Sequence, residues 1–420
     1  MVRGRRLLST RFVGIQAAPR SRCENGEAYC WRVPLEVDQP SVLFTAFEPS
    51  GDDHAAAVIA VLRDRYPKLR VYAWGGRKMQ AAGAEVIQLT GDDAVMGMPG
   101  LAKIREHKRM NNAIERWLDE HPISVHIPVD SPAANFPVCK LTKNAGARVV
   151  HLVAPQLWAW APWRIRKLRR LTDHVLCVLP FEQDWFRQRG VEATFVGHPL
   201  FDKSLDTELL DEQIAGWPRG EQNIALMPGS RPAEMRKNFP LLLAAYIKLA
   251  NEHPKMRGLV AATRAEIEPQ LRQIAKDAGL NWPDSLTVTH SNTDAVIRWC
   301  DLALVVSGTV TLQIAKQHKP MVIVYKLGRL VWTLLARWLI QAKFITLPNL
   351  IAGREICPEL VPHFGGADPI ADRAVELLED PEAFNKQVRE LEDIARVYDE
   401  QHAAENAARI IARYAGLEPF

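Results

Sequence analysis

The chain has 420 residues, too many for one hydrophobic core, so two domains of about 200 residues each are expected. Hydrophobic residues at 47% and charged residues at 24% describe a globular protein and exclude a disordered or fibrous one. A net charge of +4 is too mild for a nucleic-acid binder; it suits an anionic small molecule or an anionic membrane surface.

The first 22 residues carry six arginines and no acid, and Arg11 interrupts their one apolar stretch, which argues against a secretory signal. Residues 1–40 read as a disordered extension with no role in the fold, with an organelle-targeting peptide or an upstream start codon as the alternatives. From Ser41 onward strands and helices alternate. SVLFTAF (41–47) has the continuous apolar character of a buried strand, and AAAVIAVLRDRY (55–66) that of the helix after it. RVYAWGG, SVHIPVD, ARVVHLVA, HVLCVLP and ATFVGHP repeat the strand signal up to about residue 200. After Asp202 comes a polar stretch with Trp217, Pro218 and Gly220, and then a second series: NIALMPGS, RGLVAAT, LTVTHS, LALVVSG and PMVIVYK. Apolar strands alternating with helices give parallel sheets covered on both faces. The expected architecture is α/β: two doubly wound Rossmann-like domains facing a cleft, over 41–205 and 206–365, then C-terminal helices over 366–420.

Leu330 to Ile340 is the longest apolar run, short of the roughly 20 residues a membrane span needs and broken by Arg337. The six cysteines (Cys23, Cys30, Cys139, Cys177, Cys300, Cys357) are scattered, three of them inside apolar runs, and show no zinc spacing. A reducing compartment and no metal follow.

Every candidate motif lies where a parallel strand ends, the side on which such sheets bind ligands. MPGSR (227–231) and VVSGTVTLQ (305–313) each leave a strand through Gly beside Ser or Thr and lead towards a helix. That geometry aims backbone N–H groups and the positive end of a helix dipole at an anion. Gly229, Ser230, Arg231, Ser307, Gly308 and Thr309 are therefore candidate diphosphate contacts, although neither run is a Walker loop or a GxGxxG fingerprint. EPSGDDH (48–54) crowds Glu48, Asp52 and His54 beside Ser50 and Gly51: a capped turn, with Ser50 or Asp52 as the cap, accounts for part of it, and the crowding of two acids with a His makes Glu48, Asp52 and His54 candidate catalytic residues. Asp130 ends the strand of IPVDSPAANF and is either a general base or an N-cap. Trp158, Trp160, Trp163 and the basic run from Arg164 to Arg170 are core and solvated face, or else a receiver for an amphiphilic anion. His198, between Gly197 and Pro199, is structural or faces the cleft.

Together these stretches resemble the lipid-A-disaccharide synthase family, inverting glycosyltransferases of the GT-B fold. SGDDHA, GGRKMQAAG, AVMG, PQLWAW, LPFE, FVGHPLFD, PGSR, SGTVTLQ and LPNLIAGRE follow in the family's order. The resemblance implies transfer from UDP-2,3-diacylglucosamine to 2,3-diacylglucosamine 1-phosphate, giving a disaccharide phosphate and UDP without metal or other cofactor. It assigns the donor to Arg231, Ser307 to Thr309, Gln313 and Asn349, and the acceptor to Ser50, Gly51, Asn135, Trp158, Trp160, Arg164 and His198. It further implies a cytoplasmic protein peripheral to the inner membrane and a homodimer that exchanges C-terminal segments. The chain departs from the family pattern at Phe47, Pro49, Ala133 (a family acid) and Gln313 (a family Glu), and where AKIREHKRMNN is polar rather than apolar. That polar run offers Lys103, Arg105, Lys108 and Arg109 for electrostatic contact with a membrane. Alternatives are another UDP-sugar enzyme of this fold, such as a UDP-N-acetylglucosamine epimerase, or a lapsed homologue that binds lipid.

Overall fold

The computed structural model describes residues 20–22, 29–31, 39–90, 101–159, 161–229, 231–262, 264–290, 292–328, 332 and 343–420. The AVMG run, Trp160, Ser230 and, apart from Trp332, the apolar stretch from Leu330 to Ile340 lie outside the described residues, as does the side chain of Lys103.

Two parallel sheets form. The first has seven strands: β3 (Ser41–Thr45), β4 (Arg70–Gly75), β5 (Glu85–Leu89), β6 (Val125–Pro128), β7 (Arg148–Leu152), β8 (His174–Cys177) and β9 (Ala193–Phe195). Their order is β5-β4-β3-β6-β7-β8-β9. The second has six: β10 (Asn223–Met227), β11 (Arg257–Ala261), β12 (Leu286–Thr289), β13 (Leu302–Val306), β14 (Met321–Lys326) and β15 (Glu359–His363), ordered β12-β11-β10-β13-β14-β15. Ahead of both, β1 (Arg20–Arg22) and β2 (Tyr29–Trp31) pair antiparallel, so the leading 40 residues are not wholly without regular structure.

The sequence reading finds every strand of the two sheets except β5 and β15. Both are edge strands whose residues, His363 apart, are half-buried or exposed, and Glu85, Gln88, Glu359 and Pro362 break the apolar run that marks the others. An edge strand covers only part of its surface and so carries a weaker signal.

In the six-stranded sheet the pleat sorts side chains to opposite faces. Ile224, Leu226, Leu304, Val306, Val322 and Val324 enter one apolar cluster with the helix Pro232–Glu252. Ala225, Met227, Ala303, Val305, Met321 and Ile323 enter another with the helix Thr293–Trp299. Both faces are therefore dry, as expected of a doubly wound sheet.

By their contacts the residues form two compact units, 1–151 with 171–173 and 411–420, and 152–170 with 174–410. This differs from a boundary at 205/206: residues 174–205 group with the second unit. The C-terminal helices account for it. The Tyr398 hydroxyl donates to the Val178 carbonyl at 3.3 Å, and Asn406 Nδ2 to the Val196 carbonyl at 3.2 Å. The Asp202 carboxylate accepts from the amides of Ala403 and Ala404 at 2.8 and 2.9 Å, at the start of the helix Ala403–Tyr414. In this chain the segment packs back on its own fold.

Candidate active site

In the first unit β3 and β6 lie side by side and end together, which brings Glu48 next to the turn at Asp130. Glu48, not Ser50 or Asp52, occupies the N-cap position of the helix Pro49–Arg65, and its side chain caps nothing. Its Oε1 instead accepts the Ser131 hydroxyl at 2.7 Å. Ser131 rather than Asp130 is the N-cap of the helix Pro132–Asn144, leaving the Asp130 carboxylate free of capping duty.

Asp130 and Ser131 have φ of 45° and 39°, two consecutive non-glycine residues in the left-handed region. Such a turn costs free energy and persists only where its surroundings impose it. Here the imposing group is Asn135, whose Nδ2 donates to the carbonyls of Val129 at 3.0 Å and Asp130 at 2.8 Å. Asn135 Oδ1 accepts from the Thr45 hydroxyl at 2.6 Å, and Thr45 Oγ1 lies 2.9 Å from His126 Nε2. With the Thr45 proton committed to Asn135, Nε2 must be the donor. His126 Nδ1 is then the acceptor for the Thr142 hydroxyl at 3.0 Å. This assignment requires a neutral imidazole, and burial does push the His126 pKa down to about 3, with His151 adding repulsion. All four side chains are fully buried.

Burial raises the Asp130 carboxyl to about 6, with the backbone of Ser131 opposing and the charge of Glu48 reinforcing the shift. A carboxylate poised there can hold or release a proton near neutrality, which is what a general base needs. His151 is fully buried, neither ring nitrogen has a hydrogen-bond partner, and burial lowers its pKa to about 4, partly offset by the nearby backbone of Asp130.

Asp52 does not cap the helix it stands in. Its carboxylate accepts the amides of Gly76 at 3.1 Å, Lys78 at 3.1 Å and Met79 at 3.0 Å, at the start of the helix Arg77–Ala81. A Cβ at Gly76 would meet Asp52 Oδ2 at 2.2 Å, so the neighbour must be glycine. His54 is half-buried, with its pKa lowered by burial and raised again in part by Asp53. Ser50 is exposed and Gly51 buried.

In the second unit Gly229 turns the chain at φ 93° after β10. Arg231 follows as N-cap of the helix Pro232–Glu252, half-exposed, with Nη1 2.9 Å from Glu234 Oε1. Glu234 is absent from the sequence reading, yet an acid three residues after an arginine at a helix start signals this pair. Ser307, Gly308 and Thr309 leave β13, with Thr309 at the N-cap of the helix Val310–Lys316 and Gln313 half-buried one turn on. Asn349 does not join them. Its Nδ2 donates to Cys357 O and Glu359 Oε2, both at 2.9 Å, and its Oδ1 accepts the amides of Ile356 at 2.8 Å and Cys357 at 2.9 Å. Fully buried and saturated, it has no capacity left for a ligand.

Trp158 does meet the turn at 307–309: it lines one cavity of about 320 Å³ with Ser307, Gly308, Thr309, Phe344 and Leu350. Trp163, by contrast, is 60% exposed. Arg164 is half-buried in the short helical turn Pro162–Arg164. His198 caps the helix Pro199–Asp202 through Nδ1, which accepts the Leu200 amide at 3.1 Å. Among the described residues no three His, Cys, Asp or Glu side chains gather as metal ligands would.

A family model described as lipid-A-disaccharide synthetase matches residues 42–413, nearly all of both sheets and the C-terminal helices. The chain belongs to the lipid-A-disaccharide synthase family. It is 33% identical over 386 residues to a lipid-A-disaccharide synthase of Burkholderia vietnamiensis, covering 91% of this chain and 98% of that protein. A synthase of Geobacter sulfurreducens is 32% identical over 81% of this chain and 88% of its own length. Members of the family are glycosyltransferases. Among solved structures, the S. aureus MnaA–UDP complex superposes with a TM-score of 0.63 at 11% identity, over 90% of this chain and 98% of the other. Acinetobacter baumannii MurG gives 0.53 at 13% identity, over 89% and 99%. At such identities these two report the fold alone, which is that of GT-B enzymes of UDP-sugars.

Proposed function

We infer that the chain joins UDP-2,3-diacylglucosamine to 2,3-diacylglucosamine 1-phosphate. The 6-hydroxyl of the acceptor attacks the anomeric carbon of the donor, the C–O bond to the diphosphate breaks, and UDP leaves with inversion. Asp130 takes the hydroxyl proton. The leaving diphosphate gains negative charge, which Arg231 and the N–H groups of the turns at 229–231 and 307–309 offset. Gln313 hydrogen-bonds the ribose, without the charge-assisted part that a Glu would add. No cofactor takes part in this scheme.

The observation that carries the reading is the Asp130 carboxyl, raised to about 6 on a strained and braced turn. Asn135 contributes to acceptor binding through that turn rather than by touching the acceptor. Exposed Trp163, beside exposed Arg166, Lys167, Arg169 and Arg170, supports peripheral contact with an anionic membrane surface on the cytoplasmic side. No helix among the described residues is long and apolar enough to cross one. Whether two copies pair through residues 366–420 is read by light scattering.

Incubating the purified protein with both acylated sugars and weighing the products by mass spectrometry tests the proposal. Disaccharide phosphate and UDP in equal amounts are expected. A folded protein that binds UDP yet makes no disaccharide sinks it, and NMR of UDP-N-acetylglucosamine under the same conditions detects the manno epimer an epimerase would make.

A further inference from the structure

The cavity at Ser307, Gly308 and Thr309 is otherwise lined mainly by apolar side chains, Trp158, Phe344, Leu347 and Leu350 among them, and by the exposed Gln156. We propose that it takes one acyl chain of the sugar-nucleotide donor, and so determines which chain lengths the enzyme accepts. This rests on the reading that the donor is a UDP-linked acylated glucosamine.

Opposite the Ser307–Thr309 turn, the exposed Gln156 is the one lining side chain with a free-standing polar group; the other polar groups on that wall are largely committed. The one polar atom of Trp158, indole Nε1, is spent on Glu182 Oε1 at 2.9 Å, and Glu182 Oε2 accepts the Leu179 amide at 3.1 Å. The amides of Ile345 and Thr346 are both committed to the Glu359 carboxylate, at 2.8 and 3.3 Å. A uracil ring, with two carbonyls and an N–H to satisfy, would find few partners there besides Gln156, so part of its polar edge would be buried at a loss. A hydrocarbon chain would not.

The wall is also preformed. Phe181 packs edge-on against Trp158 at 4.9 Å between ring centroids, and Leu347 and Leu350 pack on the same apolar cluster as Trp158. Little ordering is left for the chain to impose, which favours binding in a pocket of this kind. An acyl group attached to the donor sugar can enter from the Ser307–Thr309 side, since that turn is where the diphosphate is read. Affinity should rise roughly fourfold per methylene buried, and stop rising once the cavity is filled.

Calorimetric titration of the whole protein with UDP, UDP-N-acetylglucosamine and UDP-2,3-diacylglucosamine of a shorter and a longer chain tests this. The parent should bind the acylated donors more tightly than UDP-N-acetylglucosamine. Leu350→Trp, which fills the cavity, should lower affinity for the longer-chain donor at least tenfold and leave UDP unchanged. Phe344→Ala, which enlarges it without a new bulky group, should move the preference towards the longer chain and covers the case in which Leu350→Trp fails to fold. Equal weakening of UDP and acylated donor would mean the nucleotide occupies the cavity, and an unaltered chain-length preference in folded variants would mean the chain lies elsewhere. Either result overturns the inference, as does a parent that ignores acylation. Failure of the donor reading itself registers separately, as a parent that makes no disaccharide in the product assay.

Discussion

Ser131 donates its hydroxyl proton to Glu48 at 2.7 Å, so two adjacent strand ends are fastened across the turn that carries Asp130. The bond also keeps the Glu48 charge near Asp130, where it helps to hold that carboxyl protonated at a higher pH than usual.

Asp130→Asn keeps the shape of the turn and removes the basicity. Disaccharide formation should fall by about 100-fold or more while UDP binding and thermal midpoint stay near the parent's. Parent-like turnover would move the base elsewhere, with Glu48 and His54 next in line.

The pH dependence has a definite sign. A base must be ionised, so kcat/KM should rise with pH through an apparent pKa of about 6 and level off above it. Glu48→Gln removes a charge that raises the Asp130 pKa and should shift the rising limb to lower pH. A limb that stays put would show that burial alone sets the value.

If Arg231 faces the leaving diphosphate as proposed, Arg231→Ala should slow turnover roughly 100-fold, about 3 kcal/mol. Glu234→Gln frees the guanidinium from its 2.9 Å partner without removing it. UDP affinity, measured by calorimetry, should then be kept or improved; a large loss would mean that Glu234 positions Arg231 for the phosphate.

Gln313→Glu should tighten UDP or leave its affinity unchanged, if this side chain meets the ribose. A marked loss in the same titration would show a pocket rebuilt around a neutral group.

Asp52→Ala leaves three backbone amides without their acceptor and should destabilise the protein by roughly 1–3 kcal/mol, seen as a lower denaturation midpoint. If activity in the folded fraction collapses as well, Asp52 has a role beyond holding the helix Arg77–Ala81.

The sequence carried much of this because a strand buried on both faces leaves an unbroken apolar run, as at 223–227 and 302–306, and because the motif turns must lie where those runs stop. It could not say which polar groups are already spent. Asp52, Asn349 and His198 sit in site-like motifs, and the structure uses each to satisfy backbone amides. Nor could it pair Ser131 with Glu48, or place Trp158 and Phe344 on one cavity, since those residues are far apart in the chain. The pair of Glu234 with Arg231 is local, three residues apart, and is the one of these contacts that a closer look at the sequence finds.

The buried imidazoles make the first unit acid-labile. His126 and His151 titrate near 3 and 4 when folded and near 6.5 when exposed, so below that value the unfolded chain takes up protons that the native one refuses. Their contribution to stability is therefore full above about 6.5 and drains away as the pH falls towards 4 and 3. Asp130 runs the other way, favouring the folded state below about 4 and losing that advantage as the pH climbs to 6. With two rings against one carboxyl, acid wins: storage and purification near neutrality should preserve the protein, and a brief acid step should inactivate it by unfolding long before any covalent damage occurs.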